Sequence, residues 1–218
     1  MTTTAEQNYV KAIYKLQEQY NDVSTSLLAA NLGITAPSVS GMLKKLSRAK
    51  IVIHNRRKGV RLTRKGKQLA LNIIRRHRLV ELFLVETLGM TWDNVHIEAE
   101  KLEHSISDTV LAHIDKLLGY PKCDPHGSPI PSADGSIPAR KAVQLVDLQL
   151  NQEGVICEVE DDKPEMLQHL REIGLIPGAN IRIIDILAAD GTLIIKCNHR
   201  QQAVSPTIAS AVWVDEVK

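Results

Sequence analysis

The chain of 218 residues carries a net charge of only +2, with 44% hydrophobic and 24% charged residues, which is the composition of an ordinary globular protein. We expect a cytoplasmic protein that does not span a membrane. No apolar run approaches the ~20 residues of a membrane span, no signal-peptide pattern is present, and three widely spaced cysteines do not indicate a disulfide framework. Residues 1–80 hold 16 lysines and arginines against three acidic residues, which favours a polyanionic partner for this part.

The first predicted elements are helices. Residues 6–20 have the apolar spacing of a helix. Ser24 is a candidate N-cap for a short helix that ends at Gly33, and Thr35 is a candidate N-cap for the next helix, with Pro37 in its first turn. Two short helices joined by a tight turn that contains glycine predict a helix-turn-helix.

A basic hairpin follows the second of these helices. The stretch IVIHNRRKGVRLT predicts two short strands joined by a basic turn, as in the wing of a winged helix-turn-helix. The wing, the order of the elements and the basic charge together predict binding to double-stranded promoter DNA. The residues that we predict to contact DNA are Thr35, Pro37, Ser38, Ser40, Gly41, Lys44, Arg56, Arg57 and Lys58.

The middle of the chain is predicted to be helical, with helices over residues 64–88, 92–105 and 108–118. The apolar surface of these helices exceeds what so small a bundle buries alone, which indicates a homodimer. A dimer also suits a palindromic DNA operator, because its two recognition helices can address two half-sites.

The last third of the chain has a different pattern. Residues 120–138 are rich in Pro, Gly and Ser and predict an extended connection. After residue 144, short β-branched runs predict strands of a small barrel over 155–159, 181–187, 193–196 and 212–217, with the helix PEMLQHLREIG between the first two. The fold class is therefore mainly α with a small all-β domain. The predicted domains are a winged helix-turn-helix over 1–72, a helical metal-binding and dimerisation domain over 73–140, and an SH3-like barrel over 141–218.

Two predicted helices carry His and Glu at helical spacing. His77 and Glu81 are four residues apart on one helix, and the next helix carries four more such residues on one face: His96, Glu100, Glu103 and His104. A solvated polar face is the simpler interpretation, but this ladder can also hold a divalent metal ion. Imidazole and carboxylate suit Mn²⁺, Fe²⁺, Zn²⁺, Co²⁺ or Ni²⁺. Cys123 and His126 offer only two ligands, which favours a loop role over a zinc site.

Other function classes remain open on the residues alone. A metalloenzyme would use the His/Glu cluster with an open coordination position, but no nucleophile motif, phosphate loop or substrate-binding motif accompanies the cluster. A winged-helix regulator with a purely structural cluster would bind DNA regardless of metal. We predict a regulator that is not an enzyme.

The order of these elements resembles the metal-dependent repressors of the diphtheria toxin repressor and manganese transport regulator family. The resemblance rests on the winged helix-turn-helix, on HRLVELFL, VHIEAEKLEHSISDTV and CDPHGSPIP, and on a final SH3-like, FeoA-like domain. It implies a cytoplasmic homodimer that binds Mn²⁺ or Fe²⁺ and then promoter DNA, and represses genes of metal uptake.

The resemblance also implies two metal sites. A primary site would use Glu100, Glu103 and His104 with Asn8 from the first helix, and an ancillary site would use His77, Glu81 and His96. Glu160 would complete the ancillary site from the SH3-like domain, with Asp161 as the alternative. Iron-responsive members have Met and Cys where this chain has Asn8 and Glu100, and harder oxygen ligands favour Mn²⁺, with Fe²⁺ as the alternative. Zn²⁺ or Co²⁺ is expected to substitute in vitro.

Overall fold

The computed structural model describes residues 2–55, 57–138, 141–161, 163–215 and 217. The chain divides into two compact units, Met1–His77 with Pro131–Ile137, and Arg78–Ile130 with Pro138–Lys218. The three predicted domain boundaries stay predictions. Within the described residues, no single helix is long and apolar enough to cross a membrane; two consecutive helices, Thr25–Leu32 and Ala36–Arg48, reach that length and apolarity only as a pair bent by 108°.

The first unit is a winged helix-turn-helix, as predicted. Its elements in chain order are α1 (Thr4–Gln17), α2 (Thr25–Leu32), α3 (Ala36–Arg48), β1 (Val52–Asn55), β2 (Gly59–Leu62) and the first part of α4 (Arg64–Glu86). The two strands pair antiparallel, from Val52 opposite Leu62 to Asn55 opposite Gly59. Val23 pairs with Val60 through two backbone hydrogen bonds of 2.9 Å, which joins the start of α2 to the wing.

Local sequence signals define the helix ends in this unit. The Ser24 side chain accepts a hydrogen bond from the backbone N–H of Leu27, and Gly33 ends α2 with a left-handed φ of 64°, as predicted. Thr35 is the N-cap of α3, but its side chain makes no capping hydrogen bond; its hydroxyl lies 2.9 Å from that of Ser38 instead. The turn is therefore tied by two hydroxyls on the exposed face.

The recognition helix is held by its apolar stripe. Val39, Leu43 and Leu46 are fully buried, in one cluster with Ile13 of α1 and Leu28 of α2. Burial of each such side chain stabilises the fold by about 1.5–3 kcal/mol. The opposite face of α3 is left exposed, as the sequence predicted.

The second unit begins with the rest of α4 and continues with α5 (Val95–Glu103) and α6 (Asp108–Leu117). Leu79 of α4 packs with Leu111 and Ile114 of α6, and Val80 packs with Val95 and Ala99 of α5. Helix α5 is shorter than the predicted 92–105, so His104 is its C-cap residue.

The C-terminal β domain contains one six-stranded sheet. Its strands are β3 (Val143–Gln144), β4 (Glu153–Val159), β5 (Asn180–Ile186), β6 (Leu193–Cys197), β7 (Arg200–Val204) and β8 (Val212–Asp215), in the order β3-β8-β4-β5-β6-β7. Helix α7 (Pro164–Ile173) connects β4 to β5, as predicted, and the short helix α8 (Pro206–Ala209) precedes β8. All strand pairs are antiparallel.

The β domain has an aliphatic core of its own. Leu167 and Leu170 from α7 are fully buried, in one cluster with Ile183 and Ile195 from the sheet. Upstream, the segment Cys123–Ile130 runs without regular secondary structure apart from the bridge between Cys123 and Pro129. Its His126 carbonyl accepts a hydrogen bond of 2.9 Å from the backbone N–H of Val159, which attaches this segment to β4.

Candidate metal centre

Glu81 is the buried acidic residue at the centre of the candidate site. It lies on α4 and is 0% exposed, which is costly for a carboxylate that lacks compensating charge. Its Oε1 lies 3.0 Å from Nδ1 of His96 on α5. Nε2 of His96 lies 3.8 Å from Oε1 of Glu100, whose side chain is 54% exposed. The structure brings the three helical residues predicted for the ancillary site together, since ligand atoms of His77, Glu81 and His96 all lie within 4.8 Å of one another.

The same glutamate also belongs to a second group, of four potential ligands. Ligand atoms of Glu81, Asp124, His126 and Asp161 all lie within 4.8 Å of one another. Glu81 comes from α4, Asp124 and His126 from the segment Cys123–Ile130, and Asp161 from the residues between β4 and α7. We call these four residues the Glu81 cluster. Its donors come from three parts of the chain that are distant in sequence.

The hydrogen bonds of His126 define its tautomer. Nε2 of His126 lies 2.7 Å from the carbonyl oxygen of Trp92, and a carbonyl can only accept, so Nε2 carries the proton. In the neutral imidazole, Nδ1 then keeps its lone pair. This Nδ1 is buried, and no described residue offers it a hydrogen bond. An imidazole whose other nitrogen is bound to a carbonyl is the usual form of a histidine that ligates a metal.

The acidic groups of the cluster favour binding of a cation. Burial raises the pKa of Asp124 well above its usual value, and the neighbouring charges of Glu81 and Asp161 raise it further. Arg78 opposes this shift, with its Nε 3.3 Å from Oδ2 of Asp124. The other oxygen, Oδ1, accepts hydrogen bonds from the backbone N–H groups of His126 and Ser128 at 2.9 and 3.0 Å. Three carboxyl groups, two of them buried, and one buried imidazole nitrogen fit a divalent metal ion.

The residues predicted for the primary site have surroundings of their own. Glu103 on α5 is 1% exposed, and its Oε1 lies 3.2 Å from Nε2 of His104. Asn8 is an exposed residue of α1 in the first unit. Glu100, Glu103 and His104 are not members of the Glu81 cluster. The primary site that the resemblance implies therefore stays a prediction.

Two further predicted ligands have specific surroundings. His77 is buried one turn before Glu81 on α4, and its Nδ1 lies 3.3 Å from Nζ of Lys11 on α1. An ammonium group at this distance disfavours a metal ion on the same nitrogen. Glu160 is half-buried, and its backbone N–H donates to the carbonyl of Ala211. The structure places Asp161, the alternative, in the Glu81 cluster.

Sequence reasoning missed Asp124 and His126 as ligands. Their spacing in CDPH is Asp-x-His, and the sequence pattern favours a loop with only two visible ligands, Cys123 and His126. The signal available in the sequence is a pair of potential ligands, Asp124 and His126, with a proline between them. Their proximity to Glu81 follows from packing of the segment on β4, which has no periodic signature in the sequence.

The predicted DNA-contacting residues lie on the exposed side of the first unit. All described members of the set are exposed except Ser40, which is half-buried; Arg56 lies outside the described residues. At the wing tip, Oδ1 of Asn55 accepts hydrogen bonds from the backbone N–H groups of Arg57 and Lys58, at 2.9 and 3.2 Å. This Asx turn holds the two basic residues at the end of the hairpin.

Comparison with known protein families covers nearly the whole chain. Residues 1–60 match the model "Iron dependent repressor, N-terminal DNA binding domain", residues 63–132 match "Iron dependent repressor, metal binding and dimerisation domain", and residues 143–216 match "FeoA domain". Among curated proteins, the iron-dependent repressor IdeR of Mycobacterium leprae (strain TN) is 28% identical, with 96% of each chain covered.

Solved structures are also similar over nearly full length. A manganese-dependent transcriptional repressor in complex with manganese is 38% identical, with a TM-score of 0.88 and coverage of 96% of this chain and 98% of the other. The manganese regulator SloR is 33% identical, with a TM-score of 0.78 and coverage of 96% and 97%. Relatives named for iron and relatives named for manganese are thus both similar to the chain.

Proposed function

The chain belongs to the metal-dependent transcriptional repressors of the diphtheria toxin repressor and manganese transport regulator family, and from that premise we propose that Mn²⁺ held by the Glu81 cluster activates it. The observation that carries this proposal is the buried Nδ1 of His126, whose lone pair lies among three carboxyl groups. A bound divalent ion supplies the positive charge that offsets their mutual repulsion.

The donor set favours Mn²⁺. Glu81, Asp124 and Asp161 offer carboxylate oxygens and His126 offers one imidazole nitrogen, a combination that suits hard or borderline divalent ions. The cluster contains no cysteine, so it lacks the thiolate that draws softer metals. Fe²⁺ is the alternative, because iron-dependent repressors are among the relatives. Zn²⁺ or Co²⁺ is expected to bind in vitro as a substitute.

We assign DNA binding to the first unit. Helix α3 exposes Thr35, Pro37, Ser38, Gly41 and Lys44 on the face opposite its buried stripe, which suits entry into the major groove. Arg57 and Lys58 at the wing tip are placed to contact phosphates. In a homodimer, two copies of this face would address the half-sites of a palindromic operator.

Helix α4 connects the two activities. It begins at Arg64 in the DNA-binding unit and carries Glu81 in the second unit. Without a metal ion the carboxylates of the cluster repel one another, and we expect the cluster residues to be less well ordered. A bound metal ion balances these charges, and we expect it to restrain α4. Linkage then requires that operator DNA tighten metal binding by the same factor as metal tightens DNA binding. The proposed outcome is repression of metal-uptake genes.

The test measures DNA binding and metal binding on the same variants. Duplexes are selected by the protein from a random-sequence library in the presence of Mn²⁺, and their affinity is measured by anisotropy with chelator, Mn²⁺, anaerobic Fe²⁺ and Zn²⁺. Wild-type protein should bind tightly only with metal. His126→Ala should lose at least tenfold in Mn²⁺ affinity and its metal-dependent DNA binding, because the ligand itself is removed.

Two variants serve as comparisons. His169→Ala replaces an exposed histidine on α7 and should bind Mn²⁺ and DNA like wild type. Glu103→Gln tests the primary site implied by the resemblance: loss of the metal response in this variant, with His126→Ala unaffected, would overturn the assignment to the Glu81 cluster. Equal DNA affinity with metal and with chelator would exclude metal activation altogether.

A further inference from the structure

A short turn between α4 and α5 connects the helical section to the β domain. Trp92 in this turn packs against the hydrophobic core of the β domain. The next residue, Asp93, accepts a hydrogen bond of 2.9 Å through Oδ1 from Nη1 of Arg171 on α7. The side chain of Asp93 is 7% exposed and that of Arg171 is 43% exposed, so the carboxylate end of this ion pair is buried. A buried carboxylate of this kind depends on its partner.

The same turn also contacts the histidine of the Glu81 cluster. The carbonyl of Trp92 accepts the Nε2–H of His126, and the two rings lie 5.2 Å apart between centroids, tilted by 39°. The position of Trp92 therefore determines both the tautomer and the orientation of the imidazole. A shift of this carbonyl would remove the acceptor of the Nε2 proton and would allow that proton to move to Nδ1.

Arg171 is linked to a second member of the cluster. It lies on α7, which begins at Pro164, three residues after Asp161. Because the ion pair holds α7 against the turn at Asp93, we expect it also to restrain Asp161, whose carboxyl belongs to the cluster. The Asp93–Arg171 ion pair thus acts on two ligands from two directions, through Trp92 on His126 and through α7 on Asp161.

We propose that Asp93 and Arg171 are positioning residues of the metal centre, whose ion pair determines metal affinity without either residue belonging to the Glu81 cluster. The inference rests on the proposed metal site. Its physical basis is that residues which orient a ligand commonly change metal affinity by about 10- to 100-fold when they are removed. The hydrogen bond of 2.7 Å from Ser128 Oγ to Glu158 Oε1 holds the same region, but it does not involve Trp92.

The test compares variants at both ends of the pair. Arg171→Met and Asp93→Asn are titrated with Mn²⁺, with free ion followed by electron paramagnetic resonance. Each should bind Mn²⁺ about 10- to 100-fold more weakly than wild type. Arg171→Lys keeps the charge and should recover part of the affinity. Arg182→Met, which replaces an exposed arginine of β5, should leave Mn²⁺ affinity unchanged.

A second measurement separates positioning from simple loss of folding. In metal-free protein, the ¹⁵N shifts of His126 should report the Nε2-protonated tautomer in wild type and a mixture of tautomers in Asp93→Asn. If Arg171→Met loses the β-sheet signal in circular dichroism, Asp93→Asn decides alone, because it preserves the shape of the side chain.

The outcomes distinguish the inference from the proposed function. Wild-type Mn²⁺ affinity in Asp93→Asn and Arg171→Met, together with a loss in His126→Ala, would overturn the positioning role and leave the metal site intact. Unchanged affinity in His126→Ala itself would overturn the site. Weakened binding with an unchanged His126 tautomer would overturn the route through Trp92 and assign the effect of the ion pair to α7 and Asp161.

Discussion

At the scale of single residues, Glu6 connects the first helix to the recognition helix. Its Oε2 accepts a hydrogen bond of 2.7 Å from the backbone N–H of Thr3, in a capping box at the start of α1. Its Oε1 lies 3.1 Å from Nζ of Lys45 on α3. The bond from Thr3 lowers the pKa of Glu6 below 4.5 despite the opposing effect of burial, and Lys45 lowers it further.

This lowered pKa predicts a pH dependence of stability. Because the folded state favours the ionised form of Glu6, its contribution is fully present above the unfolded pKa of 4.5 and is lost as pH falls through the lower folded pKa. Glu6→Gln should therefore lower the free energy of unfolding by about 1 kcal/mol at pH 7, and the difference from wild type should shrink toward pH 3.

Urea denaturation of metal-free protein at pH 7, 5 and 3, at one protomer concentration, checks this expectation. Glu153→Gln changes an exposed glutamate of β4 and should show no such pH-dependent difference. A loss in Glu6→Gln that is constant across this range would mean that the charge of Glu6 is not the stabilising feature.

The metal centre shows which residues could be predicted from spacing alone. Glu81 and His96 were predicted as ligands because helical periodicity puts them on helix faces, and the structure brings them within 3.0 Å. Asp124 and His126 lie in a segment without regular structure, where sequence spacing carries no information on direction. Their proximity to Glu81 depends on the contact with β4 and on Trp92, which are interactions distant in sequence.

At the scale of elements, strand prediction failed at the edges of the sheet. The inner strands β4, β5, β6 and β8 have apolar, β-branched sequences and were predicted, whereas β3 and β7 were missed. These two are the edge strands: β3 has only two residues, and β7 reads RQQAV, with little apolar alternation. Short, polar edge strands suit solvent exposure and limit unwanted pairing, which removes the signal that predicts them.

Helix α3 contains a glycine that its own stability does not require. Gly41 has ordinary helical geometry, and an added Cβ would meet no atom within 4 Å. Gly41→Ala should therefore stabilise the protein by about 0.5–1 kcal/mol. If α3 approaches the bases closely at this point, the added methyl group should weaken operator binding about tenfold, which corresponds to about 1.4 kcal/mol.

Thermal denaturation and DNA anisotropy on the same samples measure both effects of Gly41→Ala. Ser47→Ala, an exposed change later in α3, should affect stability little and DNA binding less than Gly41→Ala does. A gain in stability with unchanged operator affinity would show that Gly41 does not lie at the DNA interface.

At the scale of the whole molecule, the two ends of the chain have opposite charge. Residues 1–80 carry a net charge of +13 and residues 81–218 a net charge of −11. The basic part includes the matched DNA-binding domain, residues 1–60, and the acidic part contains the carboxylates of the metal centre. This division predicts that salt acts mainly on DNA binding, because surface charges are screened and counterions are released from the phosphates.

The wing provides a quantitative test of this division. If Arg57 and Lys58 each contact one phosphate, removing either should reduce the slope of log affinity against log salt concentration by about 0.9 per subunit, or about two per dimer. Arg57→Gln and Lys58→Gln should show this between about 50 and 200 mM salt, with similar losses on all selected duplexes, because phosphate contacts carry no sequence information. Lys163→Gln, at an exposed lysine before α7, should leave the slope unchanged. A weaker affinity with an unchanged slope would instead place these side chains on base edges, since only phosphate contacts release the counterions that salt opposes.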